Sequence, residues 1–172
     1  MAKAKKLTTG MKSMITRRFK AGKSIPEISA ELEISCTLVR RYVLRWCKAE
    51  CDRYWSLIVR RKGKCELSGK IGVSLIAHHI LEKGAFLWLR WDLDNGICIA
   101  INYHDTRYGN IREMSTHGTL HQLDMFRERL KEVKPEQFRY YLDNRDSKAY
   151  REIDILETYE RLKSEANKWD LQ

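Results

Sequence analysis

Leu75-Ile76-Ala77-His78-His79-Ile80, followed by Asn95 and then by His104, is the stretch whose reading decides how this chain is organised. Adjacent histidines on an extended segment point to opposite faces, so one ring can ligate a metal ion while its neighbour faces a water molecule. Imidazole suits both tasks. Its unperturbed pKa near ~6.5 leaves it mostly neutral at cellular pH and ready to take a proton, and it ligates borderline divalent ions. An asparagine brings an amide donor and an amide acceptor with which to lock a base ring by hydrogen bonding. Hydrolysis of a phosphodiester asks for this combination: a base for the water and a cation for the charge that develops on the leaving oxygen.

Three further segments surround these residues: Trp46-Cys47-Lys48-Ala49-Glu50-Cys51-Asp52-Arg53-Tyr54-Trp55, Val59-Arg60-Arg61-Lys62-Gly63-Lys64-Cys65-Glu66 and Leu89-Arg90-Trp91-Asp92-Leu93-Asp94-Asn95-Gly96-Ile97-Cys98. With a closing Glu157-Thr158-Tyr159-Glu160-Arg161-Leu162, the text from residue 46 to 165 resembles the HNH endonucleases of bacteriophages. The resemblance implies a ββα-metal motif, a β-hairpin followed by a helix, clasping one divalent ion such as Mg²⁺ or Mn²⁺. It implies His78 as a metal ligand, His79 as the general base, Asn95 as the residue that orients the base, and His104 as the second ligand.

Two departures from the family pattern carry expectations of their own. Where many relatives hold a structural zinc with two Cys-x-x-Cys pairs, this chain has Cys65, Ser68, Ala100 and Tyr103, so no structural zinc is expected. Ile97, Ile99 and Ile101 are expected to hold the hairpin instead, as one face of an alternating strand. Where relatives often place another histidine four residues after His104, this chain has Tyr108, a poor ligand for a magnesium-like ion. His117 replaces it as a metal ligand if the segment from Asp105 to Met114 is an insertion that pushes the helix back; otherwise it is a surface histidine at a helix start. His121 is expected to face solvent.

The chain's 172 residues suffice for one ordinary domain or two small ones. Its net charge of +10 is uneven: residues 1–50 hold twelve Lys or Arg against four Glu, leaving only +2 for the remainder. That asymmetry suits a module docked on phosphates. Five cysteines, Cys36, Cys47, Cys51, Cys65 and Cys98, make an odd count without repeating spacing and argue against a disulfide framework. Met1-Ala2-Lys3-Ala4-Lys5-Lys6 has charge but no apolar run behind it, and no segment reads as long and apolar enough for a membrane, so a cytoplasmic setting in a bacterial host is expected.

The basic N-terminal part reads as a compact helix-turn-helix resembling the homeodomain-like units of resolvases and phage regulators. A first helix runs from about Met11 to Ala21 and ends at Gly22; a second runs from about Pro26 to Leu32 behind Ser24; a third runs from about Cys36 to Trp46 with Ser35 as N-cap. Ile25, Ile28, Leu32, Ile34, Val39, Tyr42 and Val43 supply its core, and Glu33 stands where a glycine often makes the tight turn. The third helix presents Thr37, Arg40, Arg41 and Arg45 to base edges or phosphates of double-stranded DNA. An amphipathic helical stretch from Trp46 to Arg60 follows, and helices are expected over Thr119–Val133, Glu136–Leu142 and Ser147–Lys168.

The expected fold is α+β and mainly helical: a three-helix helix-turn-helix domain over residues 1–46, then an HNH nuclease-like domain with flanking helices over 47–172. The expected activity is metal-dependent endonuclease cleavage of DNA, a nick for a monomer and a double-strand break for a homodimer on spaced half-sites. The alternative is a domesticated relative that acts as a sequence-specific repressor.

Overall fold

The computed structural model describes residues 6–104, 114–147 and 151–171. Over these the chain is a mixed α+β protein, mainly helical, with one two-stranded sheet. Helix α1 (Thr9–Lys20) starts where the Thr8 hydroxyl accepts a hydrogen bond from the Met11 amide at 3.2 Å. It ends at Ala21, and Gly22 then takes a φ of 85°. Helix α2 (Ile25–Leu32) opens on a reciprocal cap: the Ser24 hydroxyl accepts from the Glu27 amide, and the Glu27 carboxylate accepts from the Ser24 amide at 2.7 Å. Glu33 adopts the left-handed conformation, φ 49° and ψ 41°, which glycine would enter without strain. The turn is clamped around it, with Ile34 N donating to Ser29 O at 3.1 Å and the Ser29 hydroxyl donating to Ile34 O at 2.6 Å.

Helix α3 (Cys36–Arg60) runs unbroken through 25 residues, so the expected third helix and the amphipathic stretch behind it are one element. No glycine or proline interrupts it. Ser35 occupies the N-cap position but makes no side-chain cap hydrogen bond, which corrects the capping role expected of it. Val39, Val43, Cys47, Cys51, Trp55 and Ile58 recur at helical spacing along α3 and are buried in the first of two cores. Ile15 of α1, Ile28 of α2 and Tyr159, Leu162 and Ala166 of the last helix join it. That last helix, α6 (Ile155–Asn167), begins at the cap Asp154, later than the expected start at Ser147: residues 151–154 are not helical.

Strands β1 (Leu75–His79) and β2 (Gly96–Ala100) pair antiparallel, with His78 opposite Ile97 and His79 opposite Gly96. Every residue of β2 is buried, and its side chains alternate between the two cores. Cys98 faces the first core, while Ile97 and Ile99 enter the second with Cys65, Leu67, Tyr103 and, from α4 (Leu120–Val133), Phe126 and Leu130. Ile101 belongs to a 3₁₀ turn at Ile101–Tyr103 rather than to the strand. Of the four positions Cys65, Ser68, Ala100 and Tyr103, the first and the last two are buried in this second core. Gly96 marks the close approach of the sheet to α3, since a β-carbon there would collide with Val59 and lie 3.0 Å from Trp55. Helix α5 (Pro135–Asn144) packs Phe138 and Tyr141 on the second core, and Tyr140 donates to the Asp92 carboxylate at 2.8 Å. Among the described residues, no helix is long and apolar enough to cross a membrane.

Candidate active site

Strand β1 sends its two histidines to different cores. His78 lies against α4, its ring centroid 5.8 Å from that of Phe126, and is only 8% exposed. His104 follows the 3₁₀ turn after β2, and His117 stands just ahead of α4. The three rings meet: centroids are 4.5 Å apart for His104 and His117, 5.4 Å for His78 and His104, and 5.7 Å for His78 and His117. One ligand nitrogen from each lies within 4.8 Å of the others. Backbone contacts deliver His117 to this place, with Thr116 N donating to Tyr103 O at 2.9 Å and the Thr116 hydroxyl donating to His104 O at 3.2 Å. Burial, reinforced by the neighbouring His104 and His117, pushes the His78 pKa down to about 3, so the ring stays in the neutral form that ligation needs. Three convergent imidazole nitrogens are a donor set that can hold a transition-metal ion.

His79 turns to the other side and stacks on Trp55 of α3, ring centroids 3.9 Å apart and planes within 9°. Its Nε2 lies 2.8 Å from the Arg90 carbonyl oxygen. A carbonyl can only accept, so Nε2 carries the proton and Nδ1 is the basic nitrogen of the neutral ring. Burial lowers the His79 pKa; the Arg90 carbonyl opposes that, and the positive charges of Lys83 and Arg90 add to it. The ring is thus held neutral at physiological pH, as a general base must be.

The loop between the strands is pinned from α3. The Arg90 guanidinium donates to both oxygens of Asp52 at 3.0 and 2.7 Å, Trp91 Nε1 donates to Asp52 at 2.8 Å, and Trp55 Nε1 donates to Asp92 O at 2.8 Å. Burial raises the Asp52 pKa, yet the hydrogen bonds from Arg90 and Trp91 outweigh it and hold the carboxyl below its ordinary value. Asn95, expected to bond the base ring, does not reach it. Fully buried, it accepts from Leu81 N at 2.7 Å and donates to Leu81 O and Leu89 O, both at 3.0 Å. Asn95 therefore fastens the loop, and the residue after Leu89 holds His79. This is a correction to the direct contact expected of it.

These groups border one cleft of about 430 Å³ whose walls include Asp52, Trp55, His79, Lys83, His104 and His117. The structure thus brings together His78, His79, His104 and His117, and leaves Asn95 behind the wall. Asp52, Trp55 and Arg90 are the positioning residues that the sequence reading did not single out. Tyr108 lies outside the described residues. His121 is exposed and apart from the histidine cluster.

The residues expected to touch DNA sit elsewhere, on the N-terminal half of α3. Thr37, Arg40, Arg41 and Arg45 are all exposed and, with Leu44 and Lys48, line a shallow groove. None of these four basic residues forms an ion pair among the described residues, whereas Arg18 and Lys23 share Glu31 nearby. No family profile, curated protein sequence or solved structure was found that matches the chain.

Proposed function

We propose that this protein is a metal-dependent DNA endonuclease of the HNH type, in which α1, α2 and the start of α3 act as a helix-turn-helix and the two strands with α4 act as the ββα-metal motif. The observation that carries the reading is the placing of three convergent histidines and a separately held fourth in one cleft. His78, His104 and His117 would hold the ion, which when bound supplies positive charge for the scissile phosphate and the leaving oxygen. His79 Nδ1 takes the proton of the attacking water, and the imidazolium that forms is steadied through Nε2–H by the Arg90 carbonyl. The Trp55 stack keeps the ring from turning during that transfer. Lys83 at the cleft offers a second positive charge to a phosphate.

The donor set refines the choice of metal. Magnesium prefers oxygen ligands, whereas imidazole suits zinc, nickel and their neighbours, so the cluster favours a transition ion over the Mg²⁺ expected from the family resemblance. A single site of this kind cuts one strand, making a nick the product of a monomer.

The test incubates supercoiled DNA carrying phage or bacterial genomic inserts with the purified protein in Mg²⁺, Mn²⁺, Zn²⁺, Ni²⁺ or EDTA, beside His79→Ala. Nicking that needs a metal and falls about 10²–10⁴-fold in the variant is the expected result. Cleavage that survives His79→Ala would overturn the base. Tight sequence-specific binding without cleavage in any metal would reject the nuclease and favour the repressor.

A further inference from the structure

The DNA-facing groove and the histidine cleft are built on the same helix and on the same side of it. Thr37, Arg41, Leu44 and Lys48 line the groove, and Asp52 and Trp55 line the cleft. Their spacings of four, three, four, four and three residues place all six on one stripe of α3. Arg40 and Arg45 flank this stripe at its groove end.

The stripe has no hinge. Helix α3 continues through Trp46 without a glycine or proline, and rings from three helices close over that point. Phe19 of α1 meets Trp46 edge to face at 5.9 Å, Trp46 meets Tyr159 of α6 at 5.4 Å, and Tyr54 meets Tyr159 at 6.2 Å. The first core runs under both halves, from Ile15 and Ile28 at one end to Trp55 and Trp91 at the other.

We infer that α3 is a rigid ruler: one duplex lies along its stripe with a major groove at Arg40, Arg41 and Arg45 and its phosphate backbone at the histidine cleft, so the cut falls at one fixed, short offset from the bases read. At about 1.5 Å of rise per residue, Arg41 and Trp55 stand about 21 Å apart along the axis. With successive phosphates about 3.4 Å apart along the duplex axis, that span covers about six base pairs at most, and fewer when the helix lies oblique to the duplex. The inference rests on the nuclease reading above and adds the geometry of its substrate. It predicts a contiguous site of about one helical turn rather than a distant, flexibly reached cut.

The experiment uses the full chain on sites selected from a random duplex library. His79→Ala protein gives the footprint and the guanines protected from methylation, and wild-type protein in the active metal gives the cut at nucleotide resolution. A single offset, constant to within one nucleotide across different selected sites and no more than about six base pairs from the protected guanines, is expected. Ala49→Gly with Glu50→Gly, which softens α3 between groove and cleft, should spread the cut over several positions, with circular dichroism reporting that the variant is folded. Scattered wild-type cuts, or cuts a full turn or more from the protected bases, would overturn the ruler while leaving the nuclease intact. A folded glycine variant that keeps the single offset would also overturn it. No cleavage by wild type in any divalent metal would instead reject the nuclease reading, and the ruler with it.

Discussion

Asn95→Ala separates two accounts of the order His-His, Asn, His. If the asparagine bonded the base ring, removing it would harm catalysis and leave stability nearly untouched. In the structure its side chain makes three buried hydrogen bonds, to Leu81 N, Leu81 O and Leu89 O, at 2.7, 3.0 and 3.0 Å. Alanine leaves those groups beside Leu81 and Leu89, themselves 3% and 8% exposed. Leu89 O keeps its bond from Asp92 N at 3.2 Å, so the Leu81 N–H and C=O are the groups orphaned, and at about 1–3 kcal/mol for each buried polar group left unpaired the loss comes to about 2–6 kcal/mol if water does not enter. That is a large share of the ~5–15 kcal/mol that holds an ordinary domain together. Urea unfolding at pH 7 in EDTA, followed by tryptophan fluorescence, measures it directly. Because Arg90 is the next residue along, the variant should also free the His79 ring and lower cleavage. A loss below about 1 kcal/mol, together with abolished cleavage, would refute the loop-fastening role and restore a direct contact with the base.

Three further outcomes follow from the same geometry. His104→Ala and His117→Ala should each weaken Co²⁺ or Zn²⁺ binding by at least about 100-fold in chelator competition, since even the loss of a residue behind a metal ligand costs about 10–100-fold; His121→Ala, outside the cluster, should bind normally, and unchanged affinity in the first two would remove the metal site. Gly96→Ala should cost about 1–3 kcal/mol in a thermal or urea melt, because the added methyl presses on Val59 and Trp55; a variant as stable as wild type would contradict the close packing of β2 on α3. In EDTA, stability should fall with acid before the carboxylates titrate. The unfolded chain protonates His78 near pH ~6.5 while the folded chain resists until about 3, so its contribution is complete above the first value and lost steadily below it. At about 1.4 kcal/mol per pH unit, the step from 6.5 to 5 costs about 2 kcal/mol, with His79 acting in the same direction, and equal stability at pH 7 and pH 5 would disprove it.

Local hydrogen bonding made much of the N-terminal helical pattern legible in the sequence. Ser24 just ahead of Pro26, and Gly22 after the first helix, are signals read within one turn of chain, and both ends fall within a residue or two of where they point. Helix α3 runs on past Trp46 as the amphipathic pattern of Trp46 to Arg60 indicates: nothing local ends it, and its buried spacing continues to Ile58. The reading of β2 holds for Ile97 and Ile99, which share the second core, and not for Ile101, which lies beyond the strand; the burial of Cys98 on the opposite face was not legible. Alternation assumes one apolar face, whereas this strand lies between two cores, and the existence of the second core depends on α4 and α5 returning to it. The late start of α6 was not visible either, since the residues before Asp154 carry no strong breaker and only the Asp154 cap marks the boundary.

The histidines were legible because their order is local, but what holds them is not. His117 reaches the cluster through Thr116 bonds to residues 103 and 104, a return that sequence order leaves open. Asp52 and Arg90 are 38 positions apart, and their pairing appears only when α3 is laid under the loop. That pairing has a chemical consequence. It fixes the guanidinium of Arg90 on one side while its carbonyl accepts from His79 Nε2; burial is the main cause that lowers the His79 pKa, the carbonyl opposes it, and the charges of Lys83 and Arg90 add smaller downward pushes. The two histidines of β1 are also anchored separately, His78 against the second core and His79 against the first. In the proposed mechanism the short hairpin between the cores would therefore set the distance between the ion and His79, and changes in packing on either side would reach the chemistry through that distance.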